Sequence, residues 1–295
     1  MRRQLLAVLG LGLLVSAGCG VGPPDGRQTL TLPSQTLGFV DELNQPEKAL
    51  ATDIGASLVL PKGPGGPYPA VVMLHAGSGQ GMQDWFYARL LRDWGYAVLA
   101  IDSFSARGIN GGVGNQLAVS EASFLRDAQA GLDFLSRHPQ VDETRIALLG
   151  FSKGGLPALL AALERFQGGS PHRFAAHAAF YPWCGIRFKE LELTGRPVLV
   201  ISGGRDVITP AALCERLVGD LRDANPGADI TFKVYEDAVH AFDHPHPLLD
   251  LVGELDIPGT VPANCFIEEK ATDVFVEQTS GEQLGTSNFA DVIQQ

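Results

Sequence analysis

Three side chains in this chain have the types and the order that covalent acyl chemistry requires: Ser152, Asp206 and His240. Ser152 lies in Gly150-Phe151-Ser152-Lys153-Gly154-Gly155, a G-x-S-x-G string. An apolar run, Arg145 to Leu149, precedes it, and a helix-period segment from Leu156 to Phe166 follows. Strand, sharp turn and helix form the setting in which that string carries chemistry. The turn strains the serine backbone and lifts its hydroxyl above the sheet. The flanking positions must be glycine, because larger side chains would strike the neighbouring strand and helix. A serine hydroxyl is a weak nucleophile and needs a base, commonly a histidine held by a carboxylate. Asp206 follows the apolar run Pro197 to Ser202, and His240 follows Ile230 to Tyr235. The order Ser, Asp, His along the chain suits a nucleophile elbow on an α/β sheet.

Other residues extend this site. The Lys153 amide opens the helix after the turn and points at whatever Ser152 attacks. A second oxyanion donor is expected from His75-Ala76-Gly77-Ser78-Gly79, with Ala76 and Gly77 as the candidates and His75 read as a structural residue under the loop. Arg107 lies in a loop with Gly108, Gly111, Gly112 and Gly114. It reads either as a forked clamp for a substrate carboxylate or as a solvated loop arginine. Phe104, Trp183 and Phe242 read either as an apolar wall for the acyl group or as plain core. His240, Asp243, His244 and His246 are metal-capable types, but no ligand helix holds them, and Pro245 and Pro247 mark an exposed loop. Neither a metal nor an organic cofactor is expected.

The elements that must position these residues alternate. Strand-length apolar runs at Tyr68–Leu74, Tyr96–Ile101, Arg145–Leu149, Phe174–Tyr181, Pro197–Ser202 and Ile230–Tyr235 are separated by segments of helical period. Those segments are Gln83–Trp94, Ser120–Arg137, Leu156–Phe166 and Ala211–Leu221. Alternation of this kind indicates βαβ units and a mainly parallel sheet covered on both faces, with ligands at the carboxyl ends of its strands. Thr29–Leu32 and Ser57–Leu60 read as short strands at an antiparallel edge.

The chain has 295 residues, 45% hydrophobic and 19% charged, enough apolar surface for a packed domain. Its net charge of −11 and the lack of a basic stripe exclude general attraction to nucleic-acid phosphate. At the amino end, Arg2 and Arg3 precede an apolar run from Leu5 to Val15. That run is short of the roughly 20 residues a bilayer requires, so 1–18 reads as an export signal. Ser16-Ala17-Gly18 before Cys19 resembles a bacterial lipoprotein signal, which would lipidate Cys19 and leave the protein on a membrane facing the periplasm or cell exterior. The alternative is an ordinary cleaved signal with Cys19 incidental. Residues 19–33 then form a tether, and 34–295 the folded body with an irregular segment at 244–295.

An exported chain can hold disulfides. Cys184 closes one strand and Cys214 lies in the helix after the next, so a parallel sheet makes them neighbours and a bonded pair. Cys265 is left without a partner, and Asn288–Gln295 reads as a two-turn helix after Ser287. Two readings stand for this end: a chain shortened relative to its natural form, or a free buried thiol and a short terminal helix.

Together, LHAGSG at 74–79, GFSKGG at 150–155, SGGRDVITP at 202–210 and VHAFD at 239–243 resemble the dienelactone hydrolase family of α/β-hydrolases. Asp102-Ser103-Phe104 with Arg107-Gly108 resembles a loop of its exported members. The resemblance spans about Ala56 to Asp243 and implies the α/β-hydrolase fold. The founding enzymes open a lactone with a cysteine; Ser152 stands in that place here, and Ala76 replaces a glycine common in the family. The expected activity is therefore hydrolysis of a small-molecule carboxylic ester or lactone. The competing readings are a peptidase or acyltransferase on the same fold, and a surface-anchored lipoprotein that binds without catalysis.

Overall fold

The computed structural model describes residues 22–38, 46–109, 118–167, 169–245, 267–271 and 274–277. Among these, the apolar and β-branched runs pair into a large sheet of β1 (Gln28–Thr36), β2 (Leu50–Val59), β3 (Tyr68–Leu74), β4 (Ala97–Asp102), β5 (Val141–Phe151), β6 (Ala176–Phe180), β8 (Val198–Gly203) and β9 (Ile230–Tyr235). The short β7 (Ile186–Arg187) pairs instead with β10 (Ile267–Ala271), which pairs with β11 (Val274–Glu277). The order across the large sheet is β1-β2-β4-β3-β5-β6-β8-β9. From β4 to β9 every pairing is parallel, while β1 with β2 and β2 with β4 are antiparallel.

Parallel neighbours need crossovers; of the five among the described residues, the passage from β6 to β8 carries only β7, and helices supply the other four. They are α1 (Met82–Asp93), α2 (Glu121–Ser136), α3 (Gly155–Leu160) and α4 (Ala211–Ala224). The Ser120 hydroxyl caps α2 by accepting the Ser123 N–H. Because strand side chains alternate between faces, β3 feeds two cores. Ala70, Val72 and Leu74 join a cluster with residues of α2, α3 and α4, whereas Val71 and Met73 join another with Trp85 and Ala88 of α1. The sheet is thus mainly parallel and covered by helices on both faces, as expected.

Three expectations need correction. Strand β1 begins at Gln28, so the end of the segment read as a tether is paired to β2 in register from Gln28 with Leu58 to Thr36 with Leu50. The helix expected over Leu156–Phe166 stops at Leu160. Leu163 bridges Leu193 and the Glu164 N–H reaches the Glu192 carbonyl at 2.9 Å, so pairing with a distant segment ends a helix that local propensity would extend.

The segment 244–295 is not wholly irregular, since β10 and β11 lie within it. Ile267 is fully buried, and the Glu269 carboxylate takes Arg165 at 2.9 and 3.3 Å and the Lys189 N–H at 2.7 Å. Burial without those donors would be costly, so the ion pair and the apolar contact dock this strand together.

Cys184 and Cys214 are bonded, with Cα atoms 4.8 Å apart. Residues 1–21, which include the signal and Cys19, lie outside the described residues, as do Cys265, 288–295 and the glycines at 111, 112 and 114. No helix among the described residues is long and apolar enough to cross a membrane.

Candidate active site

β5 ends at Phe151 and α3 begins at Gly155, with a single 3-10 turn, Ser152–Gly154, between them. Ser152 has φ 49°, in the left-handed region that costs a residue with a Cβ about 1–3 kcal/mol. The glycines around it are dictated by contact. A Cβ on Gly150 would strike the Gly154 carbonyl, and one on Gly154 would lie 2.7 Å from the carbonyl oxygens of both Leu74 and His75. The elbow is therefore pressed onto the end of β3, where the second oxyanion donor was expected.

Asp206 and His240 arrive from the carboxyl ends of β8 and β9. Gly203 and Gly204 let these two loops approach backbone to backbone, with the Gly204 N–H on Tyr235 O at 2.8 Å and the Arg205 N–H on Ala238 O at 2.9 Å. The result is a continuous hydrogen-bonded chain. His240 Nε2 lies 2.9 Å from Ser152 Oγ, and His240 Nδ1 lies 2.8 Å from Asp206 Oδ2. Asp206 Oδ1 also accepts the backbone N–H groups of Ile208 at 2.9 Å and Thr209 at 2.8 Å. With Nδ1–H donating to the carboxylate, the Nε2 lone pair faces the serine hydroxyl. Such an arrangement can take a proton from Ser152 and return it to a leaving group.

The loop after β3 is held by His75, which is fully buried. Its Nε2 accepts the Ser103 N–H at 3.1 Å, so its Nδ1 donates to the Ala76 carbonyl at 2.7 Å. Burial lowers its pKa and keeps the ring neutral. His75 is the structural residue expected, supporting the Ala76–Gly77 segment from below. Lys153 turns its side chain away from the elbow to pair with Glu121 at 2.8 Å, over the ring of Phe124. Only its backbone is available for chemistry at Ser152.

Two proposed substrate contacts are corrected by their surroundings. Arg107 spends all five donors inside the protein: two pair with Asp127 at 2.7 and 2.9 Å, and the others reach Thr36, Ser103 O and Gln35 O. It ties β1 to α2 and has no fork left for a carboxylate. Phe104 is buried, edge-on to His75 at 4.6 Å and Phe124 at 5.7 Å, and so forms the floor of the loop rather than a pocket wall. Trp183 is half-buried beyond β6, packed on the main core, with Nε1 unpartnered among the described residues. Phe242 is half-buried against Tyr181 and Tyr235. Among the described residues no cluster of metal-ligating types is assembled; His246 lies outside them.

The site also includes residues that sequence reasoning passed over. Thr209, inside a quoted motif, holds Asp206 through its hydroxyl at 2.7 Å. Tyr181, Gln83 and Tyr87 surround Asp243 beside His240. Thr209 and Asp243 carried the signal of lying within motifs, whereas Gln83, Tyr87 and Tyr181 come from unrelated positions and carried none.

The model of the dienelactone hydrolase family matches residues 54–254. The chain belongs to the dienelactone hydrolase family. The match takes in the elbow and both partner loops, close to the span read from the motifs. An uncharacterized protein of Mycobacterium tuberculosis is 34% identical over 169 residues, 52% of this chain and 58% of that protein. The chain thus spans little more than half the length of that relative. Among solved structures, a dienelactone hydrolase-like promiscuous phosphotriesterase from metagenomic libraries superposes with a TM-score of 0.55 at 23% identity, covering 75% of this chain and 89% of that one. A thermophilic esterase of Thermogutta terrifontis gives a TM-score of 0.55 at 16% identity, covering 78% of this chain and 89% of that one. At these identities the likeness is one of fold.

Proposed function

We propose that this family member is a serine hydrolase that cleaves small-molecule carboxylic esters or lactones through an acyl-enzyme. The observation that carries the reading is the hydrogen-bonded chain Ser152–His240–Asp206, set on a serine with φ 49° at the end of β5. Ser152 Oγ attacks the carbonyl carbon as His240 Nε2 takes its proton. The oxyanion is met by the Lys153 amide and by that of Ala76 or Gly77; losing one such donor costs roughly 3–4 kcal/mol of barrier. Collapse breaks the C–O bond, and His240 gives its proton to the leaving alcohol. In a lactone that alcohol stays attached to the acyl group. Water then attacks the acyl carbon, its proton passes to His240, and the acid leaves as Ser152 recovers its hydrogen. Asp206 holds the tautomer and offsets the imidazolium charge throughout. Water is the sole co-reactant.

A fluorophosphonate probe tests the assignment. Ser152 is expected to carry the label, with no label in Ser152→Ala. Turnover of p-nitrophenyl esters of graded chain length is expected to disappear in the same variant. Labelling that survives the substitution, or a folded wild-type protein inert across the panel, would refute the reading.

The same reading extends to location. The Cys184–Cys214 bond supports an oxidising compartment, in keeping with the export signal at 1–18 and lipidation at Cys19. Metabolic labelling with a fatty acid is expected to mark the wild-type chain and not Cys19→Ala; equal labelling of both would reject the anchor.

A further inference from the structure

His240 is presented by a strained turn. Ala241 after it has φ 56°, a left-handed conformation that persists in a residue with a Cβ only where the surroundings hold it. The restraint comes from Asp243, two residues further along. Its Oδ1 accepts the Tyr181 hydroxyl at 2.7 Å and Gln83 Nε2 at 3.1 Å, and its Oδ2 accepts the Tyr87 hydroxyl at 2.6 Å. Gln83 and Tyr87 belong to α1, and Tyr181 follows β6, so the turn after β9 is pinned to two distant segments of the chain. Three donors on one carboxylate are charge-assisted bonds and stronger than neutral ones. Burial, and then Asp243 itself, raise the pKa of both phenols, which keeps them protonated as donors.

Tyr181 connects this anchor to the rest of the site. It is fully buried, its ring stands edge-on to the His240 ring at 4.9 Å, and its carbonyl oxygen lies 3.1 Å from the Thr209 hydroxyl that serves Asp206. By residue type Asp243 belongs with its neighbouring histidines as metal-capable; its carboxylate is instead filled with hydrogen bonds.

We propose that Asp243 is a positioning residue which, through Tyr181, Tyr87 and Gln83, fixes the turn carrying His240 and thereby sets the imidazole between Ser152 and Asp206. The proposal rests on the serine-hydrolase reading and adds the device that keeps its base aimed. Misplacement of a reacting group by about 1 Å can cost on the order of 100-fold in rate without weakening substrate binding.

The test uses Asp243→Asn, which keeps the shape and removes the charge, and Tyr181→Phe, which keeps the ring on His240 and removes the hydroxyl. Each is expected to lower kcat by roughly 10- to 100-fold with KM within about twofold. The double variant is expected to fall no further than the weaker single variant, because both substitutions break one path. The proton NMR signal of the His240 Nδ1–H, assigned by its loss in His240→Gln, is expected to move or vanish in both variants and to survive in Ser152→Ala. Should either variant fail to fold, Tyr87→Phe releases the other carboxylate oxygen and is expected to show the same loss confined to kcat.

Unchanged kcat, a rise in KM alone, additive losses in the double variant, or an undisturbed His240 signal would each overturn the proposal. A wild-type protein that takes no fluorophosphonate label would sink the hydrolase reading instead. The NMR signal would still report on whether Asp243 positions the ring.

Discussion

Thr209 serves Asp206 twice: its backbone N–H donates to Oδ1 at 2.8 Å and its hydroxyl to Oδ2 at 2.7 Å. Asp206 is buried, so these bonds replace water in keeping its charge oriented toward His240. Thr209→Val keeps the backbone bond and the side-chain shape but removes the hydroxyl. A hydrogen bond to a charged group is worth about 1.5–3 kcal/mol, so kcat/KM is expected to fall roughly 10- to 100-fold. Thr209→Ser should restore most of it. Steady-state kinetics of the two variants decide the matter, and equal activity of Val and Ser would count against the role.

The pair Arg107–Asp127 is buried at both ends, with side-chain exposures of 6% and 0%. Removing one partner leaves the other charge uncompensated, a loss of about 3–5 kcal/mol. Arg107→Leu is therefore expected to lower the denaturation midpoint sharply. Activity per folded molecule should change equally on carboxylated and neutral esters. A selective loss on carboxylated substrates would return Arg107 to the binding site.

The Cys184–Cys214 bond closes a loop with a sequence separation of 30. In the chain-entropy picture such a loop contributes about 3–4 kcal/mol by restricting the unfolded chain. Cys184→Ala with Cys214→Ala is expected to unfold at lower denaturant concentration, and reductant should shift the wild type and leave the variant alone. Coincident curves in all four conditions would show that the bond adds nothing.

Asp84, near the start of α1, is buried and accepts the Gly81 N–H at 2.8 Å. Burial dominates that bond and pushes its carboxyl up to about 7 from 3.8. Between those pH values the native state binds a proton that the unfolded chain has released, so this group's share of stability is full below about pH 4 and declines as pH rises through about 7. Asp84→Asn keeps an acceptor for Gly81 without the charge. The stability of the variant relative to wild type is expected to grow by up to a few kcal/mol between those limits and to stay level above them. A difference independent of pH in urea titrations would show that the carboxyl does not titrate in this range.

The parts legible in the amino-acid order were those governed by local rules. The run YPAVVML at 68–74 suits a strand buried on both faces, and the structure puts it in the middle of the sheet. The glycines at 150, 154 and 155 flanking Ser152 record a steric demand that any residue with a Cβ would violate, and so they announce the elbow. The Cys184–Cys214 pair followed from strand adjacency together with the reading of an exported chain.

Long-range pairing outside the recognised motifs and the cysteine pair was not legible, because its energy depends on which distant groups the folded chain brings within reach. Arg107 reads from the sequence either as a substrate fork or as a solvated loop arginine, and it is neither, because Asp127, Thr36 and Gln35 take its donors. The helix after the elbow had the propensity to continue past Leu160 but lost to a bridge between Leu163 and Leu193. Asp243 sat beside histidines in the sequence, while its actual partners, Tyr87 and Tyr181, arrive from 156 and 62 residues away. The order of residues thus determined the sheet, the elbow and the candidates for the chemistry, since turns and periodicity act between neighbours. Only the tertiary structure decided which charged and polar groups serve the site and which serve the frame, since a hydrogen bond is satisfied by whatever partner folding places within about 3 Å.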